Sequence, residues 1–448
     1  MPSRRQFMTA AAMSPAVVAV TPANASPAAW PTGPGRPTTP QQPDRELRRL
    51  LTEIDQRRIE ATVRKLVSFG TRHTLSSQTD PVRGIGAARD WIFRELRSYG
   101  GQLEIELQSF VQPPSPRVPV ATTITNVLAT LRGSKDPSRI YVVSGHYDSR
   151  ASDPLDAVSD APGADDDASG VAAVMEIARV VAGRVVDATI VFAAVAGEEQ
   201  GLYGAAHLAS TLTGVQGMFT NDIVGAAPAS AAGVVRLFAE GVPTSETPEQ
   251  AAVRRSVGGE NDSPSRQLAR FVTDLAGTGM TVEVIYRRDR YLRGGDHIPF
   301  LERGFPAARF TEPHEDYAHQ HQNVRVENGV QYGDLPEFCD FGYMTRVARV
   351  NAAVLWSLAT APGTPRNVRI RTNRLTNETD LVWDVDAAAA GYEVVWRPTD
   401  AADWTHRIPL GAVGAHTVDL SKDNVFFGVR AIGANGRRSP AAFPVPAP

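Results

Sequence analysis

Cysteine and lysine are both scarce in this chain of 448 residues. Cys339 is the only cysteine, so one chain cannot form an internal disulfide, and any metal site would have to use His, Asp and Glu. Lysine occurs three times among the 46 basic residues, so arginine carries almost all of the positive charge. The net charge of −3 gives no bulk attraction to nucleic acids or anionic membranes, and we expect neither as a partner.

The sequence also lacks a hydrophobic run that is long enough to span a membrane. The weakly apolar run that begins at Met8 is short, and it follows the pair Arg4-Arg5 as in a twin-arginine export signal. An A-x-A cleavage site ends at Ala25, which predicts that residues 1–25 are a signal peptide rather than a mobile basic tail. We therefore expect an exported protein, periplasmic or extracellular.

The remaining chain divides into three parts by composition. Residues 26–45 are rich in Pro, Gly and Ala and are predicted to be a disordered linker. Residues 46–361 alternate strand-like runs with amphipathic helices, which predicts an α/β fold with a mixed central sheet and helices on both faces. The apolar runs RIYVVSGHYDS and ATIVFAAVAG are typical of central strands that are covered on both sides.

Residues 365–448 contain short strand-like runs separated by turn residues, which predicts a small all-β sandwich. Trp383, Tyr392, Trp396 and the final stretch VFFGVRAIGANGRRSP resemble a fibronectin type III module. Val425 stands where that family places its corner tyrosine, so the corresponding hydrogen bond should be absent.

Ionisable residues recur at or just beyond the ends of the predicted strands, which is where the ligand crevice of an α/β sheet lies. Five stretches carry them: SGHYDS with His146 and Asp148, PGADDDASG with Asp165 to Asp167, AGEEQGLYG with Glu198 and Glu199, TNDIVG with Asp222, and PHEDYAHQHQN with His314, His319 and His321.

Two of these stretches suggest a division of roles. Residues two apart on an extended chain project to one side, so His146 can bind a metal ion while Asp148 orients its imidazole. The pair Glu198 and Glu199 can divide metal binding and proton transfer.

Each stretch also has an ordinary explanation. The aspartates could be helix caps, the glutamates a solvated surface, and the histidines a structural hydrogen-bond cluster. The order and placement of all five together favour a metal site.

In this order, GHYDS, PGADDDASG, GEEQGLYG, ND and EDYAHQHQ resemble the co-catalytic zinc aminopeptidases, from the metallopeptidase clan that includes secreted bacterial leucyl aminopeptidases and glutamate carboxypeptidase. The resemblance covers roughly residues 47–361. It implies two Zn²⁺ ions per chain that share one bridging carboxylate, and peptide substrates with a free N-terminus.

The resemblance also assigns roles to individual residues. Asp166 matches the bridging ligand, His146 and Asp222 match ligands of one zinc ion, and Glu199 and His319 match ligands of the other. Glu198 matches the general base, which takes a proton from the activated water and passes it to the leaving amine. Asp148 matches the residue that supports His146.

The sequence departs from the family in the histidine-rich loop. His321 is a second candidate for the position given to His319. Some relatives have a tyrosine directly before the last histidine to stabilise the oxyanion, whereas Ala318 stands there in this chain. Tyr317 or Tyr291 could replace it.

A further segment, GGDHIPF, resembles a family segment and is interpreted as structural support around Asp296 and His297. The predicted function is that of an exported metallo-aminopeptidase. The alternatives within the clan are a carboxypeptidase, a deacylase and a single-zinc glutaminyl cyclase, and an alternative of another class is a non-catalytic receptor-like protein.

Overall fold

The computed structural model describes residues 30–257 and 262–447. The predicted signal peptide, residues 1–25, lies outside the described residues. Among the described residues, no helix combines the length and the apolar composition that crossing a membrane requires.

The described part of the chain contains ten α-helices. They are α1 (Arg45–Thr52), α2 (Gln56–Val67), α3 (Ile85–Ser98), α4 (Ala168–Val181), α5 (Glu198–Gly201), α6 (Tyr203–Thr211), α7 (Pro248–Ser256), α8 (Pro264–Thr273), α9 (Ile298–Glu302) and α10 (Phe341–Ala359).

The same residues form eighteen β-strands. They are β1 (Arg36–Pro37), β2 (Leu103–Gln112), β3 (Thr122–Leu131), β4 (Asp136–His146), β5 (Ala188–Val195), β6 (Val215–Asn221), β7 (Val234–Phe238), β8 (Thr281–Ile285), β9 (Ala307–Thr311), β10 (Arg325–Glu327), β11 (Val330–Tyr332), β12 (Arg369–Arg371), β13 (Thr379–Val382), β14 (Gly391–Pro398), β15 (His406–Leu410), β16 (Ala415–Val418), β17 (Val425–Ile432) and β18 (Val445–Ala447).

An eight-stranded mixed sheet forms the centre of the α/β part, in the order β2-β3-β5-β4-β6-β9-β7-β8. Its middle strands β5, β4, β6 and β9 are parallel, whereas β2, β3 and β7 pair antiparallel to their inner neighbours. All eight residues of β5 are buried, as its continuous apolar run predicts for a central strand.

Helices cover both faces of this sheet, because successive strand residues point to opposite sides. Tyr141 and Val143 of β4 belong to the larger core, with α1, α2, α3, α4, α8 and α10. Val142 belongs to a smaller core with α6 and α9. The predicted α/β class with a mixed sheet is confirmed.

The last part of the chain is the predicted β-sandwich. One sheet has the order β16-β13-β12-β18 and the other the order β1-β15-β14-β17. Between them lies a separate apolar core that includes Leu381, Tyr392, Trp396 and Phe427. Val425 is buried in this core.

The prediction of a disordered linker over residues 26–45 is wrong for the part from Pro34 onward. Strand β1 pairs antiparallel with β15 of the sandwich, and Trp396 Nε1 donates a hydrogen bond to the Pro34 carbonyl at 2.8 Å. The Pro-rich composition shows only that the segment has no core of its own. A short edge strand tolerates proline because one side of it needs no ladder hydrogen bonds.

The sandwich is joined to the α/β part by buried ion pairs. Asp262, before α8, contacts Arg270 of α8 at 2.6 Å and Arg397 of β14 at 2.5 Å. Arg430 of β17 contacts Asp274, the C-cap of α8, at 2.8 Å. These contacts fix α8 against the second sheet of the sandwich.

Candidate metal centre

His146 is the last residue of β4, at the carboxyl edge of the sheet. Its Nδ1 donates to the Asp148 main-chain carbonyl at 3.1 Å, which leaves Nε2 directed into the site. That Nε2 atom lies 3.0 Å from Asp166 Oδ1 and 3.9 Å from Asp222 Oδ1. The ring therefore has the tautomer and orientation of a metal ligand.

Asp148 is wholly buried, but its carboxylate does more than the prediction assigned to it. The carboxylate lies 3.6 Å from His146 Nδ1, so the main-chain carbonyl is the nearer partner of the ring. Its two oxygens accept from the backbone N–H groups of Glu198 at 3.3 Å and Glu199 at 3.1 Å, and one also accepts from the Thr74 hydroxyl. Asp148 thus ties the end of β4 to the start of α5.

The three adjacent aspartates have three different environments. Asp165 Oδ1 accepts from the Gly225 N–H at 2.6 Å, and Asp167 caps α4 through the Gly170 N–H at 2.9 Å. Asp166 is the member that faces the site. It is joined to Asp167 by a cis peptide bond.

Glu198 and Glu199 open α5, two residues after the end of β5. The Glu198 carboxylate falls into one group of possible ligands with His146 and Asp222, whose ligand atoms all lie within 4.8 Å of one another. The Glu199 carboxylate falls into a second such group, with Asp166 and His321. The two neighbouring glutamates therefore serve different halves of the site.

The second group includes His321 where the prediction placed His319. His321 Nε2 lies 2.9 Å from Asp166 Oδ2 and 3.1 Å from Glu199 Oε1. The His319 ring instead stacks on Phe338, with ring centroids 3.7 Å apart, and its Nδ1 lies 3.5 Å from Asp316. The ring stacking turns His319 out of the group, so the assignment of His319 is corrected to His321.

Both oxygens of Asp166 are used, each by a different histidine, so this carboxylate lies between the two groups. The donor set is all imidazole nitrogen and carboxylate oxygen, which suits zinc. Of the six residues in the two groups, Glu198 and His321 are half-buried and the other four are buried. So many carboxylates in a buried site fit a strong positive charge at its centre.

The site gives its carboxylates opposite proton affinities. Burial alone would raise the pKa of Asp166, but His321 and His146 outweigh it and hold this pKa well below its usual range. Burial raises the pKa of Glu198 well above its usual value. The charge of His146 lowers this pKa, whereas repulsion from Asp222 raises it further. Asp166 stays ionised, whereas Glu198 is able to take up a proton.

Asp296 and His297 lie at the edge of the site. His297 Nε2 lies 2.8 Å from the Arg288 carbonyl, in a structural role. Burial raises the pKa of Asp296 to about 7, opposed by His146 and reinforced by Asp222.

A cavity of about 680 Å³ borders Asp166 and Gln320. Tyr317 is among its lining residues, whereas Tyr291 is not. The Tyr291 side chain is 77% exposed and accepts from Arg287 at 2.9 Å. Of the two candidate tyrosines, only Tyr317 therefore borders this cavity.

Sequence reasoning missed two arginines that contact the predicted ligands. Arg309 Nη1 lies 2.9 Å from Asp222 Oδ2, and Arg150 Nε lies 3.1 Å from Glu199 Oε2. A signal for Arg150 was present in the sequence. It follows His146 and Asp148 at the same spacing of two, which places all three on one side of an extended segment.

A family model for peptidase family M28 matches residues 126–327. A probable zinc metalloprotease of Leptosphaeria maculans is 54% identical over 421 residues, which cover 90% of this chain and 98% of the relative. A probable zinc metalloprotease of Pyrenophora tritici-repentis is 53% identical over 439 residues, which cover 94% and 91%.

Two solved structures show the same fold at lower sequence identity. The crystal structure of Legionella pneumophila LapA has a TM-score of 0.51 and 20% identity, and the match covers 70% of this chain and 76% of LapA. The structure of LapB from L. pneumophila has a TM-score of 0.50 and 18% identity, with coverage of 72% and 78%.

These structures support the fold, and the sequence relatives identify the family. Relatives that share about half of their residues with this chain, over about nine-tenths of its length, bear the name probable zinc metalloprotease. The chain belongs to peptidase family M28 and is a zinc metallopeptidase, a hydrolase.

Proposed function

We propose that the protein is an aminopeptidase that uses two zinc ions per chain. The observation that carries this proposal is the position of Asp166, whose Oδ1 and Oδ2 lie 3.0 Å and 2.9 Å from the Nε2 atoms of two different histidines. His146 and Asp222 would hold one ion, Glu199 and His321 the other, and Asp166 both.

Glu198 is the proton carrier of the proposed mechanism. Zinc, when bound, lowers the pKa of water towards neutrality and polarises a carbonyl group. Glu198 accepts the proton of the attacking water and returns it to the leaving amine. Its raised pKa suits this exchange, and Asp148 fixes its backbone through the Glu198 N–H.

Charge favours cleavage from the N-terminus of a peptide. The cavity beside the site is lined by carboxylates, among them Asp166, Glu315 and Asp316. A protonated amine is attracted to such a surface, whereas the terminal carboxylate that a carboxypeptidase must bind is repelled. The substrates are therefore peptides with a free N-terminus.

We also propose roles for residues 1–25 and for the C-terminal sandwich. Residues 1–25 direct export through the twin-arginine pathway, so the enzyme acts in a periplasmic or extracellular space, and neither nucleic acids nor membranes are partners. The C-terminal sandwich is a fibronectin type III-like module. Fractionating cells that express the chain with and without Arg4→Lys, Arg5→Lys tests the export, which the double substitution should abolish.

A panel of substrates tests the activity. Aminoacyl-p-nitroanilides should be hydrolysed, whereas N-acetylated peptides with a free carboxyl end should not be. Elemental analysis of the dialysed protein should give two zinc ions per chain. Cleavage of the acetylated peptides would indicate a carboxypeptidase or a deacylase, one zinc ion a cyclase-like site, and bound zinc without any hydrolysis a receptor-like protein.

A further inference from the structure

Arg150 contacts two residues of the Asp166–Glu199–His321 group. Its Nε forms an ion pair with Glu199 Oε2 at 3.1 Å, and its Nη2 donates to His321 Nδ1 at 2.7 Å. The arginine side chain is 16% exposed, so solvent screens these contacts only in part. One guanidinium group thereby links the Glu199 carboxylate to the His321 imidazole.

The contact with Arg150 holds the Glu199 carboxylate, which the hydrogen bonds of the Glu199 backbone do not constrain. The Glu199 N–H donates to Asp148, and the Glu199 carbonyl accepts from Arg117 Nη1 at 2.8 Å, so the backbone is held from two sides. The carboxylate has its own constraint. Oε2 lies on Arg150, and this leaves Oε1 directed at His321 Nε2.

The same arrangement occurs independently in the other half of the site. Arg309 Nη1 forms an ion pair with Asp222 Oδ2 at 2.9 Å, while Asp222 Oδ1 faces His146 Nε2 at 3.9 Å. Arg309 is wholly buried and also donates to the Gly294 carbonyl. In both halves, an arginine occupies one carboxylate oxygen and leaves the other to the site.

We propose that Arg150 is a positioning residue that sets the affinity of the Asp166–Glu199–His321 group for a divalent ion, without affecting the group that contains His146 and Asp222. The inference rests on the proposed two-ion site. It concerns one residue, Arg150, to which neither the family resemblance nor the proposed function assigns a role.

The direction of the effect follows from the geometry. Without Arg150, the Glu199 carboxylate and the His321 ring lose their common anchor and must be ordered by the ion itself, which costs binding free energy. Residues that support metal ligands in this way commonly change metal affinity by about 10–100-fold.

The experiment is a zinc titration of chelator-treated full-length protein, in competition with a chromogenic chelator. Wild type should bind two ions. Arg150→Gln should bind one ion with wild-type affinity and the second about 10–100-fold more weakly. Lysine cannot meet both partners at once, so Arg150→Lys should give an intermediate affinity. Arg132→Gln is the matched control, because Arg132 is an exposed arginine that pairs with Glu104 at 2.8 Å.

A second readout separates positioning from general damage. Activity of Arg150→Gln should return towards the wild-type value as zinc is added, since the loss lies in metal binding. If Arg150→Gln binds both ions like wild type, the inference fails and the proposed function stands. If wild type binds fewer than two ions, the proposed function itself fails. If circular dichroism shows that Arg150→Gln is unfolded, Arg150→Lys decides, and an unchanged second affinity in that variant overturns the inference.

Discussion

A buried arginine lies beneath the row of three aspartates. Arg72 is wholly buried and donates to the carbonyls of Tyr147, Pro162 and Gly163, so its position is fixed by the backbone on both sides of the site. Burial lowers the pKa of Arg72 to about 10, against the opposing charges of nearby aspartates, and the group stays positive at neutral pH. The charge of the aspartates is thus partly compensated before any ion binds.

The two adjacent glutamates should respond differently to the same substitution. Glu198→Gln keeps the size of the side chain but removes the proton acceptor, so kcat should fall by at least ~10²-fold while both zinc ions stay bound. Glu199→Gln should weaken one ion, and added zinc should restore part of the activity. Measuring kcat and bound zinc for both variants checks this, and loss of zinc in Glu198→Gln alone would reverse the two roles.

The two histidines of the loop offer a matched pair. His321→Ala removes a side chain that faces Asp166 and Glu199, and we expect it to bind one zinc ion less and to lose most of its activity. His319→Ala removes the stacking on Phe338 and the contact with Asp316, and it should keep both ions. The zinc content of the two purified variants is the measurement. Equal zinc loss in both would contradict the assignment of His321.

The same loop shows where sequence reasoning reaches its limit for single residues. His146 and Glu199 lie together at the site because each ends or closely follows a strand that the apolar runs predict, and Asp166 joins them just before the predicted helix α4. The end of β9 places the loop at the site but does not decide between His319 and His321, since that depends on the stacking of His319 on Phe338. Pairwise contacts of that kind leave no periodic signal in a sequence.

At the level of elements, the N-terminus of α4 lies directly on the strands that carry the site. A Cβ atom on Gly170 would come within 2.1 Å of the Asn221 carbonyl of β6, and one on Gly145 within 2.5 Å of the Val171 nitrogen of α4. Only glycine allows so close an approach. The glycines in SGHYDS and ADDDASG are therefore packing requirements that hold two ligand-bearing segments together.

Asp167 joins the same two elements by hydrogen bonds. Its carboxylate accepts from the Gly170 N–H, which caps α4, and from the His146 N–H at 2.9 Å. Asp167→Ala should lower the free energy of unfolding by at least ~2 kcal/mol, because a cap is lost and a buried N–H is left unpaired. Thr247→Ala, which removes the cap of the surface helix α7, should cost about 1 kcal/mol.

Urea unfolding of chelator-treated protein measures both changes without a contribution from bound metal. An Asp167→Ala variant as stable as Thr247→Ala would show that the His146 N–H finds another partner. A helix cap among the three aspartates could be predicted from sequence, because Asp is favoured directly before a helix. The second partner of Asp167 could not, since His146 lies 21 residues away on another element.

For the molecule as a whole, the sandwich is held to the α/β part by charge as well as by packing. Asp262→Ala would leave Arg270 and Arg397 without their common buried partner, so we expect a loss of ~3–5 kcal/mol in stability. The value of kcat at 25 °C should not change, because these residues are not part of the site. The exposed Asp423→Ala should change neither quantity.

Thermal unfolding and a peptidase assay on the two variants provide the measurement. If Asp262→Ala unfolds at the wild-type temperature, the ion pairs contribute little to holding the sandwich. The sequence predicted both parts of the molecule from their strand and helix patterns. It did not predict how they are joined, because an interface made of scattered Asp and Arg residues looks like any solvated surface.

Strand β1 determines when the fold can be completed. The Thr38 hydroxyl donates to the Trp404 carbonyl beside it, and these two residues are 366 positions apart in the chain. During synthesis, β1 has no partner strand until β15 leaves the ribosome, roughly 20–70 s later at about 5–20 residues per second. The nascent chain can fold its α/β part first, but β1 and β15 must meet before the sandwich closes. A chain that is released before β15 has been made would therefore carry β1 as an unpaired strand.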